Sequence, residues 1–143
     1  MRLFLLIIVL LGMMNGAGPA MDDVKIDIEK FEGTWKVVSA EEGGRKSPDE
    51  AIKHAKMIIT HQKITLKFRD ETRVSTYKLD STKNPKWCDI TDSDHTALGI
   101  YHLEGDQLKI CLPQVGEKRR STAFESKPNS VNHLLMIMER EKP

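Results

Sequence analysis

The sequence predicts an all-β chain, an antiparallel up-and-down barrel of about eight strands with one short helix after the first strand. Short strand-like runs separated by turn signals recur from residue 33 to residue 140, the spacing of a meander. Alternation is cleanest over 63–68, where Ile64, Leu66 and Phe68 alternate with Lys63, Thr65 and Lys67. Beyond the first strand, Ser47-Pro48-Asp49-Glu50 carries a helix-start signature.

The elements follow in order. Arg2 precedes an unbroken apolar run over 3–11 and a small-residue stretch ending Gly18-Pro19-Ala20. That is the layout of a secretory signal peptide, so residues 1–20 are expected to be cleaved and residues 21–143 to form the barrel domain. The run is shorter than the roughly twenty apolar residues of a membrane span. The mature chain is therefore expected to have no stable span and to be exported to periplasm, cell envelope or medium; a retained anchor is the alternative. Residues 22–30 mix charges with Val24, Ile26 and Ile28 and are expected to cover one end of the barrel.

The opening strand spans 33–40, with Trp35, Val37 and Ser39 on one face and Thr34, Lys36 and Val38 on the other. Residues 41–46 break it. Ser47 is then placed to cap a two-turn helix over 48–55, with Pro48 where its missing N–H costs nothing. A helix that short must pack on the barrel to form at all. Strands are expected at 56–60, 63–68, 73–79, 86–91, 96–103, 107–112, 122–126 and 132–140. Glu104-Gly105-Asp106 is the strongest hairpin turn among their connections.

Charge excludes one class of partner. Lys and Arg number 22 against 21 Asp and Glu, and nucleic-acid binding normally leaves a basic excess. No nucleic-acid partner is expected. Cys88 and Cys111 would enter an oxidising compartment, which suggests a disulfide. With one strand between them they would be roughly 9.5 Å apart, beyond the disulfide limit of about 7 Å, and alternation puts them on opposite faces. Two free thiols are the favoured reading.

Phe31-x-Gly33-x-Trp35 at the head of the first strand resembles the opening motif of the lipocalins and their relatives. The resemblance implies a tryptophan plug at the closed end, with Arg140 near the end of the last strand packing across Trp35. Gly33, Trp35 and Arg140 are thus the expected structural plug. The chain more specifically resembles a family of small lipocalin-like domains of unknown function, known mainly from planctomycete bacteria. The shared blocks are the run over 31–41, Tyr77-Lys78-Leu79-Asp80, Asn84-Pro85-Lys86, Leu98-Gly99-Ile100-Tyr101, the run over 105–111 and that over 124–128. Trp87-Cys88 departs from the pattern. This resemblance implies an exported lipocalin-like barrel and brings no activity with it.

Catalytic and metal signatures are weak. The pairs His54/His61 and His95/His102 lack a facial spacing, and neither His-x-His nor Cys-x-x-Cys occurs. Asp92, Ser93, Asp94 and His95 have hydrolase letters but crowd into one turn, whereas a working triad needs a separately positioned base and an oxyanion hole. No phosphate loop or nucleophile elbow is present. The paired arginines Arg119-Arg120 could bind an anion, but a loop pair of this kind is more often simply solvated. No enzyme activity, cofactor or metal is expected.

The interior is the remaining candidate site. With Trp35 inward, the inward set also takes in Val37, Ile58, Ile64, Leu66, Phe68, Tyr77, Leu79, Ile90, Leu98, Ile100, Leu108, Ile110, Leu112, Leu134, Met136 and Met138. That exceeds the roughly twelve side chains that fill a barrel in three layers of four, so a void is not demanded. The residues expected to line any ligand cavity are Val37, Ile64, Leu66, Phe68, Tyr77, Ile100, Leu108, Ile110 and Met136. Met57, Ile59, Trp87, Leu135 and Ile137 are expected to face outward. Two functions remain open. One is a non-catalytic binder of a small apolar or amphipathic ligand, needing a cavity of roughly 300 Å³ or more. The other is an envelope interaction module with a packed core, acting through its outer surface on an unknown protein partner.

Overall fold

Strand β1 (Gly33–Glu42) is the seam of a closed barrel. It pairs antiparallel with β3 (Lys56–Thr60) on one side and β9 (Leu134–Arg140) on the other. Between these run β4 (Lys63–Phe68), β5 (Glu71–Asp80), β6 (Lys86–Asp92), β7 (His95–Glu104) and β8 (Gln107–Leu112), each bonded to its neighbours in sequence. The two-residue β2 (Arg45–Lys46) turns back on the end of β1. The fold is thus a lipocalin-like antiparallel up-and-down barrel of eight strands, and closure removes the open sheet edges. The computed structural model describes residues 20–142, with side chains from Lys25 onward. The expected signal segment, residues 1–20, lies outside the described residues except for Ala20.

Two short helices accompany the barrel, rather than one. Helix α1 (Ala20–Phe31) crosses the closed end ahead of β1, and α2 (Asp49–Ile52) lies between β2 and β3. Helix α2 is shorter than the expected 48–55, and Ser47 does not cap it: Pro48 occupies the N-cap position without a side-chain bond. Buried Ile52 and Ala55 pin this segment to the barrel, and the Ala55 carbonyl accepts from the Val37 amide where β1 runs past the start of β3.

The closed end is plugged as the Gly-x-Trp motif implied. Trp35 is fully buried, its indole N–H donates to the Phe31 carbonyl at 2.9 Å, and the Arg140 guanidinium lies 4.3 Å from its ring centre. Arg140 also donates to the carbonyls of Glu32, at 2.7 Å, and Lys30, so a cation caps the exposed carbonyl end of α1. Gly33 makes this possible. Its φ is +135°, and a Cβ there would stand 2.5 Å from an Arg140 nitrogen.

Directly opposed residues in a ladder share a face, and this fixes two strands differently from the sequence reading. Trp35 opposes Met57, and Gly33 opposes Ile59, so Met57 and Ile59 point inward and are buried while Ile58 turns out. Tyr101 opposes inward Ile110 and is buried, so Ile100 and Leu98 lie on the outer face. Ile100 is buried there all the same, because the loop over 113–133 covers that face. The expected strand over 122–126 is part of this loop, and β9 begins at Leu134 rather than Asn132. On β1, a bulge between Val37 and Ser39 shifts the phase, so Ala40 takes the inward position expected of Ser39.

The covering loop is held by its own bonds. The Asn132 side-chain oxygen accepts from the amides of Thr122 and Ala123, and its amide group donates to Thr122 and Glu125. Ser121 donates to the Val131 carbonyl. Arg120 is not merely solvated: it pairs with Asp89 at 2.8 Å, donates to the Gly99 carbonyl and stacks 4.1 Å from outward Trp87. Cys111 faces this loop and donates to the Glu125 carbonyl, whereas Cys88 is buried in the barrel. Both are free thiols.

Candidate functional site

Inward side chains change character along the barrel axis. Toward the closed end they are large. Phe31 enters from α1 and meets Tyr77 and Tyr101 with ring centres 5.0 and 5.7 Å away, edge-on or tilted. Leu108, Ile110 and Met138 pack beside them without solvent exposure. One polar group enters this region and is satisfied. Asp27 of α1 accepts from the Tyr101 hydroxyl at 2.6 Å and pairs with Lys86 at 2.8 Å, tying helix to barrel. Burial and the adjacent Asp27 carboxylate push the Tyr101 phenol far above its ordinary value. Burial likewise pushes up the Cys88 thiol, as it does Tyr77, whose hydroxyl donates to the Thr60 carbonyl.

Toward the opposite end the interior opens into a cavity of about 530 Å³ that reaches solvent. Its floor is apolar: Met57, Ile64, Leu66, Ile90, Ala97, Leu112, Leu134 and Met136. Its lip is polar, with Glu42, Arg73, Ser75, Asp92, His95 and His133, and the tip of the covering loop at Gln114, Val115 and Gly116. Val115 is 79 % exposed, an apolar side chain held at the mouth. The volume falls within the roughly 300–1,000 Å³ of small-molecule sites, as does the combination of apolar walls and few polar groups.

Of the residues expected to line a cavity, Ile64, Leu66 and Met136 do so. Val37, Leu108 and Ile110 are buried in the packed part of the interior. Phe68 is half-buried with Arg69 over its ring. Tyr77 lies at the closed end, against Phe31, and lines a separate recess of about 240 Å³ with Ile28, His61, Gln62, Lys78 and Leu79. Ile100 is on the outer face. Sequence reasoning missed Met57, Arg73, Ser75, Ala97, His95 and His133. Parity was the available signal for Arg73 and Ser75, which share the face of Tyr77 and Leu79 on β5.

Other candidate chemistry does not assemble. The Ser93 hydroxyl reaches only Asp92, at 3.5 Å, and the His95 side chain makes no hydrogen bond among the described residues. No group of three or more His, Cys, Asp or Glu side chains among the described residues is placed to hold a metal ion. His102 sits outside the barrel against Phe124.

Comparison of the chain with family models, curated proteins and solved structures returns no match. The functional reading therefore rests on the cavity itself.

Proposed function

We propose that this chain is an exported, non-catalytic lipocalin-like protein that takes up a small apolar or amphipathic molecule through the open end of its barrel. The observation that carries the reading is the solvent-open cavity of about 530 Å³ with an apolar floor. Burying a ligand's apolar body on such a floor contributes roughly 25 cal/mol per Å² removed from water, while the rim's polar groups are left to orient its head. Export rests on the pattern of residues 1–20, and membership of the planctomycete lipocalin-like family on the sequence blocks named above. The alternative, a packed module acting through its outer surface, has less support. The large exposed apolar side chains Ile26, Val38, Val74 and Val115 stand on separate elements.

Native mass spectrometry of the protein purified from its own source, before and after solvent extraction, tests the proposal. A single small adduct that extraction removes, and that rebinds to the stripped chain, is expected. A stripped chain that takes back nothing from its own extract contradicts the carrier reading.

A further inference from the structure

The lip of the cavity carries one arginine, two carboxylates and two histidines. Arg73 projects inward from β5, with a side chain 68 % exposed. Its nearest carboxylate, Glu71, is 3.8 Å away, and its guanidinium makes no hydrogen bond among the described residues. The other ordered arginines of the covering loop and the plug differ: Arg119, Arg120 and Arg140 are each bound to a carboxylate or to carbonyls. Arg73, held only by this long ion pair, therefore presents its planar fork at the edge of an apolar floor, the geometry that takes a carboxylate, sulfonate or phosphate through two parallel bonds. The Ser75 hydroxyl lies two residues along the same inward face.

Each lining carboxylate has a histidine beside it. Asp92 opposes His95 across the β6–β7 turn, and Nε2 of His133 stands 3.5 Å from Glu42. With neutral imidazoles, Arg73 is outnumbered by Glu42 and Asp92, and the lip is net negative. Protonation of both imidazoles adds two positive charges to the lip. Glu71 beside Arg73 and Asp94 beside His95 add negative charge next to the lip, and Arg119 is occupied by Glu117. Histidine is the side chain whose charge ordinarily changes between about pH 5 and 8.

We propose that the cavity selects amphiphiles bearing one anionic group, held at Arg73, and that protonation of His95 and His133 strengthens their retention at mildly acidic pH. This rests on the reading of the cavity as a ligand site. Two added positive charges at an exposed lip, several ångströms from the bound anion and partly screened by salt, correspond to about a three- to tenfold gain in affinity.

The test uses the purified protein and two apolar dyes, anionic 1-anilinonaphthalene-8-sulfonate and neutral Nile red. Each is titrated at pH 7.5 and pH 5.5, with a thermal melt at both values to verify the folded state. The anionic dye is expected to bind about three- to tenfold more tightly at pH 5.5, and Nile red to change by less than about twofold. His95→Gln with His133→Gln should remove most of the gain, and His95→Gln alone part of it, should the double variant fold poorly. Arg73→Gln should weaken the anionic dye at both pH values. A chain that binds Nile red but holds the anionic dye equally at both pH values overturns the charge proposal while leaving the cavity reading intact. So does a gain that persists in a folded double variant. Failure of both dyes at both pH values overturns the cavity reading itself.

Discussion

The closed and open halves of this barrel are made from the same strands but filled in different ways. On β5 the inward residues run from Arg73 and Ser75 at the mouth to Tyr77 and Leu79 below. On β7 they run from His95 and Ala97 to Gly99 and Tyr101, with Tyr101 among the largest fully buried side chains. Small Ser75 and Ala97, with Arg73 and His95 exposed at the rim, leave space at one end of a uniform backbone. A barrel's cavity is a property of its inward residues as much as of its strand number. Large, fully buried side chains gather in the closed half, and the void lies in the open half.

That division predicts unequal responses to mutation. The largest expected loss is Trp35→Ala, which removes a fully buried indole and the surface Arg140 packs on; urea unfolding should show about 3–5 kcal/mol. A loss below about 1 kcal/mol would mean that the plug does not hold the closed end. Tyr101→Phe takes a 2.6 Å hydrogen bond from buried Asp27 and should cost about 1.5–3 kcal/mol, read in the same way.

Alkali should attack the closed half as well. Burial raises the Tyr101 and Cys88 groups above their ordinary values of 10.0 and 9.0. Both hold their protons in the folded chain at a pH where the unfolded chain has released them. Their contribution is therefore complete below about pH 9 and declines as pH rises further. Cys88→Ala should flatten that decline in stability-versus-pH curves, despite lowering stability at neutral pH. The smallest effect is expected in the open half. Leu66→Ala faces the cavity and should cost about 1 kcal/mol, whereas Leu108→Ala in the packed half should cost about 2–5 kcal/mol. Equal losses would contradict the contrast between the halves.

How far the sequence revealed this arrangement depended on local ambiguity. The barrel, its strand order and the plug of Gly33, Trp35 and Arg140 were readable, since the turns punctuate the strands and the motif sits at the seam. The phase of β3 was not, because Met57, Ile58 and Ile59 are all apolar and only pairing with Trp35 selects among them. On β7 the large residues Leu98 and Ile100 suggested the inward face. The loop over 113–133 buries Ile100 from outside, while Gly99 occupies an inward position where a Cβ would stand 2.5 Å from Leu112. Alternation reports which face is buried only when the other face meets water. The cavity was hidden for a related reason: its apolar floor reads like any packed core, and the small and polar inward residues that open it, Ser75, Ala97 and Arg73, leave little mark in a hydrophobic pattern.

The most direct test of the ligand cavity is Nile red titration of the unaltered chain against Ala97→Trp. Ala97 lines the cavity and is half-buried, so an indole there can occupy the void and displace a ligand without disturbing the packed half. The account predicts saturable binding by the unaltered chain and at least a tenfold loss in Ala97→Trp, whose melting temperature stays within a few degrees. Undiminished binding by the folded variant, or none by the unaltered chain, would contradict it.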